Sequence, residues 1–229
     1  MSIVLFFASC HKIDEPIRFS ILGDSYSAFK GYVDPETNDA WSYYENIGVT
    51  EVGQMWWSQL IDSTGWQLEK NNAFSGSLIC NVDYLEYYGA HSFLRRMDDL
   101  GNPNLILVFG GANDVWRNVP LGGYVYEGWS EELLCSFRPA LSYLFAHLRD
   151  DYPQARLFFI LDTRLGLDAP VEISEELSAG FVASIHEVTS HYGVSCIDLY
   201  DISKTWGHPN AEGQQSIANQ VIIALEEAL

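Results

Sequence analysis

A serine that directly follows a short apolar run is the first residue in this sequence placed like a nucleophile. The run over residues 18–22 leads into Gly23-Asp24-Ser25. A serine at a strand end, preceded by glycine, presents its hydroxyl above the sheet and keeps its backbone N–H free, as attack on an acyl carbonyl requires. Gly-Asp-Ser is also a common turn sequence, so this motif alone leaves a purely structural interpretation open.

Three further polar motifs follow later apolar runs. Asn71-Asn72-Ala73-Phe74-Ser75-Gly76 comes after the second run, Gly110-Gly111-Ala112-Asn113-Asp114 after the third, and Gly207-His208-Pro209-Asn210 after the last. Taken singly, Gly76 and Asn113 are also compatible with ordinary turn or helix-entry positions. Their common placement after strands is what connects them with Ser25.

The elements that must position these residues alternate along the chain. Short apolar runs predict strands over residues 18–22, 67–71, 105–109, 156–161 and 195–199. Amphipathic spacing predicts helices over residues 131–150, from the cap Ser174 to Gly193, and after Asn210, and Pro139 should kink the first of these or delay its start. Strands alternating with helices indicate a parallel sheet covered on both faces, with functional residues at the carboxyl ends of the strands.

With these blocks in place, the sequence resembles the SGNH (GDSL) hydrolase family. G-D-S, a glycine after the second strand, G-x-N-D and a late H-P occur in family order, each at a strand end, between Phe19 and about Gly213. The resemblance implies a flavodoxin-like, three-layer α/β/α sandwich with a five-stranded, mainly parallel sheet. It also implies a serine ester hydrolase that needs no metal or other cofactor.

The resemblance assigns roles that physical reasoning supports. Ser25 would be the nucleophile, and His208 the general base that takes its proton and returns it to the leaving alcohol. The backbone N–H groups of Ser25 and Gly76 and the side-chain amide of Asn113 would form the oxyanion hole. Glycine allows close backbone approach to a substrate, and asparagine donates hydrogen bonds without adding charge.

One position departs from the family pattern. Members usually carry an aspartate three residues before the histidine, and here that residue is Thr205. A backbone carbonyl or the Thr205 hydroxyl could orient His208, Asp201 or Asp198 could reach it, or the enzyme could work as a slower dyad. We favour a Ser25–His208 dyad with backbone or water assistance, and an inactive scaffold is the remaining alternative.

Composition excludes several functions. Twelve Lys and Arg against 31 Asp and Glu give a net charge of −19, which disfavours nucleic acid and anionic membrane surfaces as partners. The sequence contains no P-loop, no dinucleotide fingerprint and no G-x-S-x-G motif, which disfavours NTPases, Rossmann dehydrogenases and α/β-hydrolases. Cys80, Cys135 and Cys196 have no metal-ligand spacing, and we expect them to be small buried apolar residues.

The first residues carry a separate signal. Phe7-Ala8-Ser9-Cys10 ends a short apolar run and resembles a bacterial lipobox, in which the cysteine is lipidated and becomes the first mature residue. We therefore expect residues 1–9 to be a lipoprotein signal segment and residues 10–229 to be one domain, lipid-anchored in the bacterial cell envelope if Cys10 is acylated. The alternative is an ordinary buried first strand.

The substrate must be argued from aromatic residues in the two long loops after the first and third strands. These are Trp41, Trp56, Trp57, Trp116, Tyr124, Tyr126 and Trp129. They would either form a stacking platform for sugar rings or build the loops' own core. The hypothesis is a carbohydrate esterase that removes acetyl or similar short acyl groups. The rivals are a lysophospholipase or thioesterase of the same family and a catalytically impaired glycan-binding module.

Overall fold

The computed structural model describes residues 16–33, 45–82, 90–169 and 171–229. The predicted signal segment 1–9, Cys10 and Trp41 lie outside these residues. Within the described ranges, none of the helices combines the length and the apolar character that crossing a membrane would require.

A five-stranded sheet forms the centre of the molecule, and all of its strand pairs are parallel. The strands are β1 (Arg18–Gly23), β2 (Gln67–Ala73), β3 (Leu105–Phe109), β4 (Arg156–Asp162) and β5 (Ser195–Leu199), in the spatial order β2-β1-β3-β4-β5. The predicted α/β/α class and all five strands are confirmed, with β1, β2 and β4 one or two residues longer than predicted. Gly23 pairs with Ala73 on one side and with Phe109 on the other, so three strand ends lie level.

Helices cover the sheet in two layers. They are α1 (Trp56–Thr64), α2 (Phe93–Arg96), α3 (Ala112–Trp116), α4 (Phe137–Asp151), α5 (Glu175–Tyr192) and α6 (Ala211–Ala228), with short 3₁₀ turns at Glu45–Ile47, Val52–Gln54 and Leu133–Cys135. Helix α1 packs on α6, and α4 packs on α5. Every residue of β3 is buried between these layers, as a central parallel strand requires.

The predicted helix over residues 131–150 begins later, at Phe137. Ser136 is the extended residue before it, and residues 133–135 form a separate 3₁₀ turn. Pro139 then falls in the first helical turn, where its missing N–H costs no intrahelical hydrogen bond. The alternative in which proline delays the start is therefore the correct one.

The other two helices begin where predicted, after the cap Ser174 and after Asn210. The Ser174 hydroxyl accepts a hydrogen bond from the Leu177 N–H at 3.1 Å, and α5 ends at Gly193 in a left-handed conformation. The Asn210 side chain accepts from the Gly213 N–H at 3.0 Å at the start of α6. Side chains that satisfy first-turn N–H groups in this way are strong start signals.

A small hairpin connects β5 to α6. Its strands β6 (Lys204–Thr205) and β7 (His208–Pro209) pair antiparallel, with Thr205 opposite His208. Gly213 lies against this hairpin, since a Cβ there would be 2.0 Å from the Ser203 carbonyl oxygen. Only glycine permits that approach, so it holds α6 close to the segment that carries the histidine.

The cysteine prediction is correct for one residue of three. Cys80 is fully buried, whereas Cys135 and Cys196 are half-buried, and all three are free thiols. Cys196 is only half-buried because β5 lies at the edge of the sheet.

Candidate active site

Ser25 lies in a tight turn directly after β1. The Asp24 carbonyl accepts hydrogen bonds from the N–H groups of Ser27 and Ala28 at 3.1 and 3.2 Å, and the Asp24 carboxyl accepts from the Tyr26 N–H at 2.9 Å. These bonds close the turn around Ser25, whose exposed fraction is 4%. The serine is therefore held by its neighbours' backbone, in a defined orientation above the sheet edge.

Two tryptophans support this turn through hydrogen bonds to Ser27. The Trp56 indole N–H donates to the Ser27 hydroxyl at 3.1 Å, and the Trp57 indole donates to the Ser27 carbonyl at 2.9 Å. Both rings are buried, so of the two alternatives the loop core, and not the substrate platform, holds for them. A buried indole needs an acceptor, and Ser27 provides one to each ring.

Two other aromatic residues of the long loops, both half-buried, pack on neighbouring rings. Tyr126 stacks on the His191 ring with a centroid distance of 3.6 Å, and Trp129 meets Tyr143 edge to face at 5.4 Å. Trp116 lies beside the site, with its ring centroid 5.1 Å from that of His208.

His208 is brought to Ser25 by the β6–β7 hairpin. Its Nε2 lies 3.0 Å from the Ser25 Oγ, and its Nδ1 lies 3.1 Å from the Trp206 carbonyl oxygen. A carbonyl can only accept, so Nδ1 carries the proton and the Nε2 lone pair faces the serine hydroxyl. This is the tautomer that a general base for Ser25 needs.

The carbonyl reaches Nδ1 because the hairpin turn has an uncommon conformation. Trp206 has φ +55° and Gly207 has φ +79°, so two consecutive residues are left-handed. A non-glycine residue in this region is strained, and such strain persists where surrounding contacts impose it. One such contact is the Tyr26 hydroxyl, which donates to the Gly207 carbonyl at 2.6 Å and ties the serine turn to the hairpin.

The side chains considered as orienters of His208 are engaged elsewhere or face solvent. The Thr205 hydroxyl accepts from the Asn210 amide at 3.4 Å, and Asp201 is exposed. Asp198 lies 3.5 Å from both His186 and Cys196. At the Nδ1 nitrogen, a backbone carbonyl stands where the family pattern predicts a carboxylate.

Burial sets the protonation state of the base. Desolvation lowers the pKa of His208 to about 3, because the charged imidazolium would lose its hydration in this pocket. The ring is therefore neutral at pH 7 and able to accept a proton.

This environment predicts an unusual pH profile. We expect protonation of His208 to leave kcat/KM unchanged between pH 8 and pH 5, since the pKa of His208 lies below that range.

Thr205→Asp places a carboxylate directly opposite His208 in the hairpin, and a negative charge at that position should raise the pKa of His208 by about one to three. The measurement is the ratio of variant to wild-type kcat/KM across pH, in which other titrating groups cancel. We expect this ratio to fall towards acid pH, and Thr205→Asn should give a flat ratio.

Besides Ser25, the residues of the predicted oxyanion hole lie after β2 and β3. Gly76 is in the turn after β2 with φ +79°, a conformation that favours glycine. Asn113 is in the first turn of α3, and its amide nitrogen lies 3.1 Å from the Ser77 carbonyl and 3.3 Å from an Asp24 carboxyl oxygen. Asn113 thus connects the loop after β1 to the loop after β2.

Two buried carboxyl groups act as scaffold. Asp114 accepts hydrogen bonds from the Ile79 and Cys80 N–H groups at 3.0 and 3.2 Å, and burial raises its pKa to about 6. Burial, together with repulsion from Asp114, raises the pKa of Asp24 to about 7. Both side chains hold the loops that carry Ser25 and Asn113.

Sequence reasoning missed Arg96, a half-buried residue of α2. Its guanidinium donates to the carbonyls of Gly23, Asn72 and His91 and to the Ser77 hydroxyl. It therefore ties the end of β1 to the loop after β2, and burial lowers its pKa to about 9. The sequence does not distinguish Arg95 from Arg96, because only the fold shows which of the two side chains turns inward.

A buried ion pair, also missed, anchors the hairpin. The Lys204 Nζ lies 2.5 Å from a carboxyl oxygen of Asp162, the last residue of β4, and their side chains are 2% and 4% exposed. The histidine segment is thereby fixed to the same sheet edge as Ser25.

Comparison with known proteins agrees with this geometry. The family model described as GDSL-like lipase/acylhydrolase matches residues 17–225. A crystal structure from Bacteroides uniformis ATCC 8492, described as a GDSL-like lipase, is 42% identical with a TM-score of 0.80, covering 93% of this chain and 96% of that one. A second such protein, from Bacteroides ovatus ATCC 8483, is 38% identical with a TM-score of 0.80, covering 93% and 99%.

A more distant structure shares the fold alone. Its description names a carbohydrate esterase, and it is 17% identical with a TM-score of 0.61, covering 92% of this chain and 68% of that one. A search of the curated proteins found no match. The family model spans most of the chain and the Bacteroides structures cover nearly all of it, so the chain belongs to the GDSL-like lipase/acylhydrolase family and is an ester hydrolase.

Proposed function

We propose that this ester hydrolase removes short acyl groups, above all acetyl groups, from carbohydrates by means of a Ser25–His208 dyad. The observation that carries the mechanism is the pair of distances at His208, 3.0 Å to the Ser25 Oγ and 3.1 Å to the Trp206 carbonyl. Together they give a nucleophile, its base and a fixed tautomer.

The reaction follows from this arrangement. Ser25 Oγ attacks the ester carbonyl while the His208 Nε2 takes its proton, and the protonated ring then gives that proton to the leaving alcohol. A water activated by the same nitrogen cleaves the acyl-serine and releases the carboxylic acid. The imidazolium formed in each step is stabilised by the Trp206 carbonyl dipole.

Three donors would meet the oxyanion. They are the N–H groups of Ser25 and Gly76 and the side-chain amide of Asn113. Asn113 would exchange its 3.3 Å contact with Asp24 for the oxyanion as charge develops. The loss of one such donor typically lowers turnover by about 10²- to 10³-fold.

An exposed indole supports a carbohydrate substrate. Trp206 is 69% exposed and lies two residues before His208, so the hairpin that carries the base also presents a large aromatic face to solvent. Sugar rings present apolar C–H faces that stack on such surfaces. The net charge of −19 disfavours polyanionic substrates, which fits neutral glycans.

A substrate panel tests the proposed specificity. We expect the purified protein to release acetate from O-acetylated oligosaccharides and p-nitrophenyl acetate, with turnover falling as the acyl chain lengthens. A preference for lysophospholipid or long-chain acyl-CoA would show that the substrate class is wrong. Fluorophosphonate should label Ser25, identified by peptide mass spectrometry, and the absence of labelling would favour a non-catalytic glycan-binding protein.

Trp206→Ala should separate sugar binding from chemistry. We expect KM for an acetylated oligosaccharide to rise about tenfold, the loss of one stacking contact of about 1.4 kcal/mol. The kcat/KM for p-nitrophenyl acetate should change less than twofold, because the backbone carbonyl at position 206 remains. Trp206→Tyr keeps an aromatic face and should restore most of the affinity. Equal losses on both substrates would contradict a stacking role.

We also propose that Cys10 anchors the protein in the cell envelope, on the strength of the lipobox-like Phe7-Ala8-Ser9-Cys10. Expressed in a bacterial host fed an alkyne-tagged fatty acid, the wild-type protein should carry the tag and sediment with membranes. Cys10→Ala should lose the tag and leave the membrane fraction, whereas Cys135→Ala should behave like the wild type. A tag that persists in Cys10→Ala would exclude this anchor.

A further inference from the structure

Three potential metal ligands converge where α5 packs on the edge strand β5. Cys196 and Asp198 are two residues apart in β5, so their side chains leave the same face of the strand. His186, from α5, meets them on that face. The proposed hydrolytic mechanism uses none of these three residues.

Two of the three distances between the ligand atoms match the edges of a coordination tetrahedron. The Asp198 Oδ1 lies 3.5 Å from the His186 Nε2 and 3.5 Å from the Cys196 Sγ, and all three atoms lie within 4.8 Å of one another. Zinc bonds of about 2.0 Å to nitrogen or oxygen and 2.3 Å to sulfur place tetrahedral ligands about 3.3–3.5 Å apart. Little movement would therefore be needed to admit the ion.

We propose that His186, Cys196 and Asp198 form a zinc-binding site. A thiolate, an imidazole and a carboxylate are the ligand types that zinc takes, whereas calcium and magnesium prefer oxygen ligands only. The side chains of His186 and Asp198 are 43% and 30% exposed, so water can occupy the fourth position.

A neighbouring tyrosine orients the carboxylate. The Tyr200 hydroxyl donates to the Asp198 Oδ2 at 3.4 Å, which leaves Oδ1 directed at the other two ligand atoms. Hydrogen bonds of this kind to ligating carboxylates are a regular part of zinc sites.

The charge and proton balance of binding is simple. Without metal, the Cys196 Sγ lies 3.5 Å from the Asp198 Oδ1, and the thiol S–H donates to that carboxylate oxygen. Zinc binding breaks the S–H bond, forms a Zn–S bond and releases one proton to solvent. The thiolate and carboxylate together carry −2, which the divalent ion neutralises.

Cobalt(II) titration of the chelator-treated full-length protein tests the site directly. We expect one ion per chain, with the near-ultraviolet charge-transfer band of a cobalt–thiolate bond, and competition by zinc. Cys196→Ser should abolish that band, and His186→Ala should weaken binding at least tenfold. Cys135→Ser and His147→Ala change a half-buried cysteine and a histidine outside the cluster, and both should bind like the wild type.

Thermal unfolding provides a second measurement. At a hundredfold excess over its dissociation constant, zinc should raise the wild-type Tm by about 5–10 °C, because it binds only the folded chain. Neither Cys196→Ser nor His186→Ala should show this shift, while both keep their p-nitrophenyl acetate turnover. A wild-type protein without stoichiometric binding, or binding unchanged in both variants, would overturn the proposal.

Discussion

Ser25→Ala should lower kcat for p-nitrophenyl acetate by about 10⁴- to 10⁶-fold, to the residual rate that the remaining oxyanion donors sustain. The serine oxygen is the atom that forms the bond to the acyl group, so no neighbouring side chain can replace it. The Ser25 backbone N–H remains in the variant, which is why some rate above water persists.

His208→Ala should cost nearly as much, and the double variant should cost no more than the larger single loss. The two residues act as a unit through the 3.0 Å contact between Nε2 and Oγ, and the effects of such residues are not additive. Stopped-flow or endpoint assays with each purified variant give the comparison, and circular dichroism confirms folding. Ester turnover at the wild-type rate in Ser25→Ala would contradict the proposed mechanism.

Much of the fold could be predicted from the sequence because its elements are locally determined. The β3 run Leu105–Phe109 is continuously apolar and lies buried at the centre of a parallel sheet. The caps Ser174 and Asn210 mark the starts of α5 and α6 by their own side-chain chemistry. The start of α4 was less certain because Pro139 suits either a kink or a first turn.

The site was only partly predictable, and the reason is physical. Ser25 and His208 carry side-chain chemistry at strand ends, where pattern and topology coincide. The group at the His208 Nδ1 is a backbone carbonyl, placed by the left-handed conformation of Trp206. Every residue has a backbone carbonyl, so the residue type does not indicate which one will contact the histidine. Arg96 was equally hidden, since its role depends on contacts between loops far apart in the sequence.

Burial also decides which aromatic residues are exposed near His208. Trp56 and Trp57 were natural candidates for a platform, but Ser27 satisfies both indoles inside the molecule. Trp206, outside the two loops considered, is the aromatic residue exposed beside His208. Composition indicates how many aromatic rings are available, whereas the hydrogen-bond partners determine which of them turn inward.

Lys204→Met should produce the largest loss of stability, about 3–5 kcal/mol in the free energy of unfolding. The substitution leaves the Asp162 carboxylate buried at the end of β4 without its cation, and an uncompensated buried charge is strongly destabilising. For a chain of this size, that loss lowers Tm by about 6–20 °C. Because Lys204 also anchors the hairpin that carries His208, kcat should fall as well.

The double variant Lys204→Met/Asp162→Leu distinguishes a buried charge from a lost contact. Replacing both partners by apolar side chains removes the stranded charge, so most of the lost stability should return. A double-mutant cycle on chemical denaturation measures the coupling free energy. Full stability in Lys204→Met alone would show that the pair is not buried as described. If the double variant regained stability but not kcat, the ion pair would be needed to hold the His208 hairpin in its catalytic position rather than to keep the protein folded.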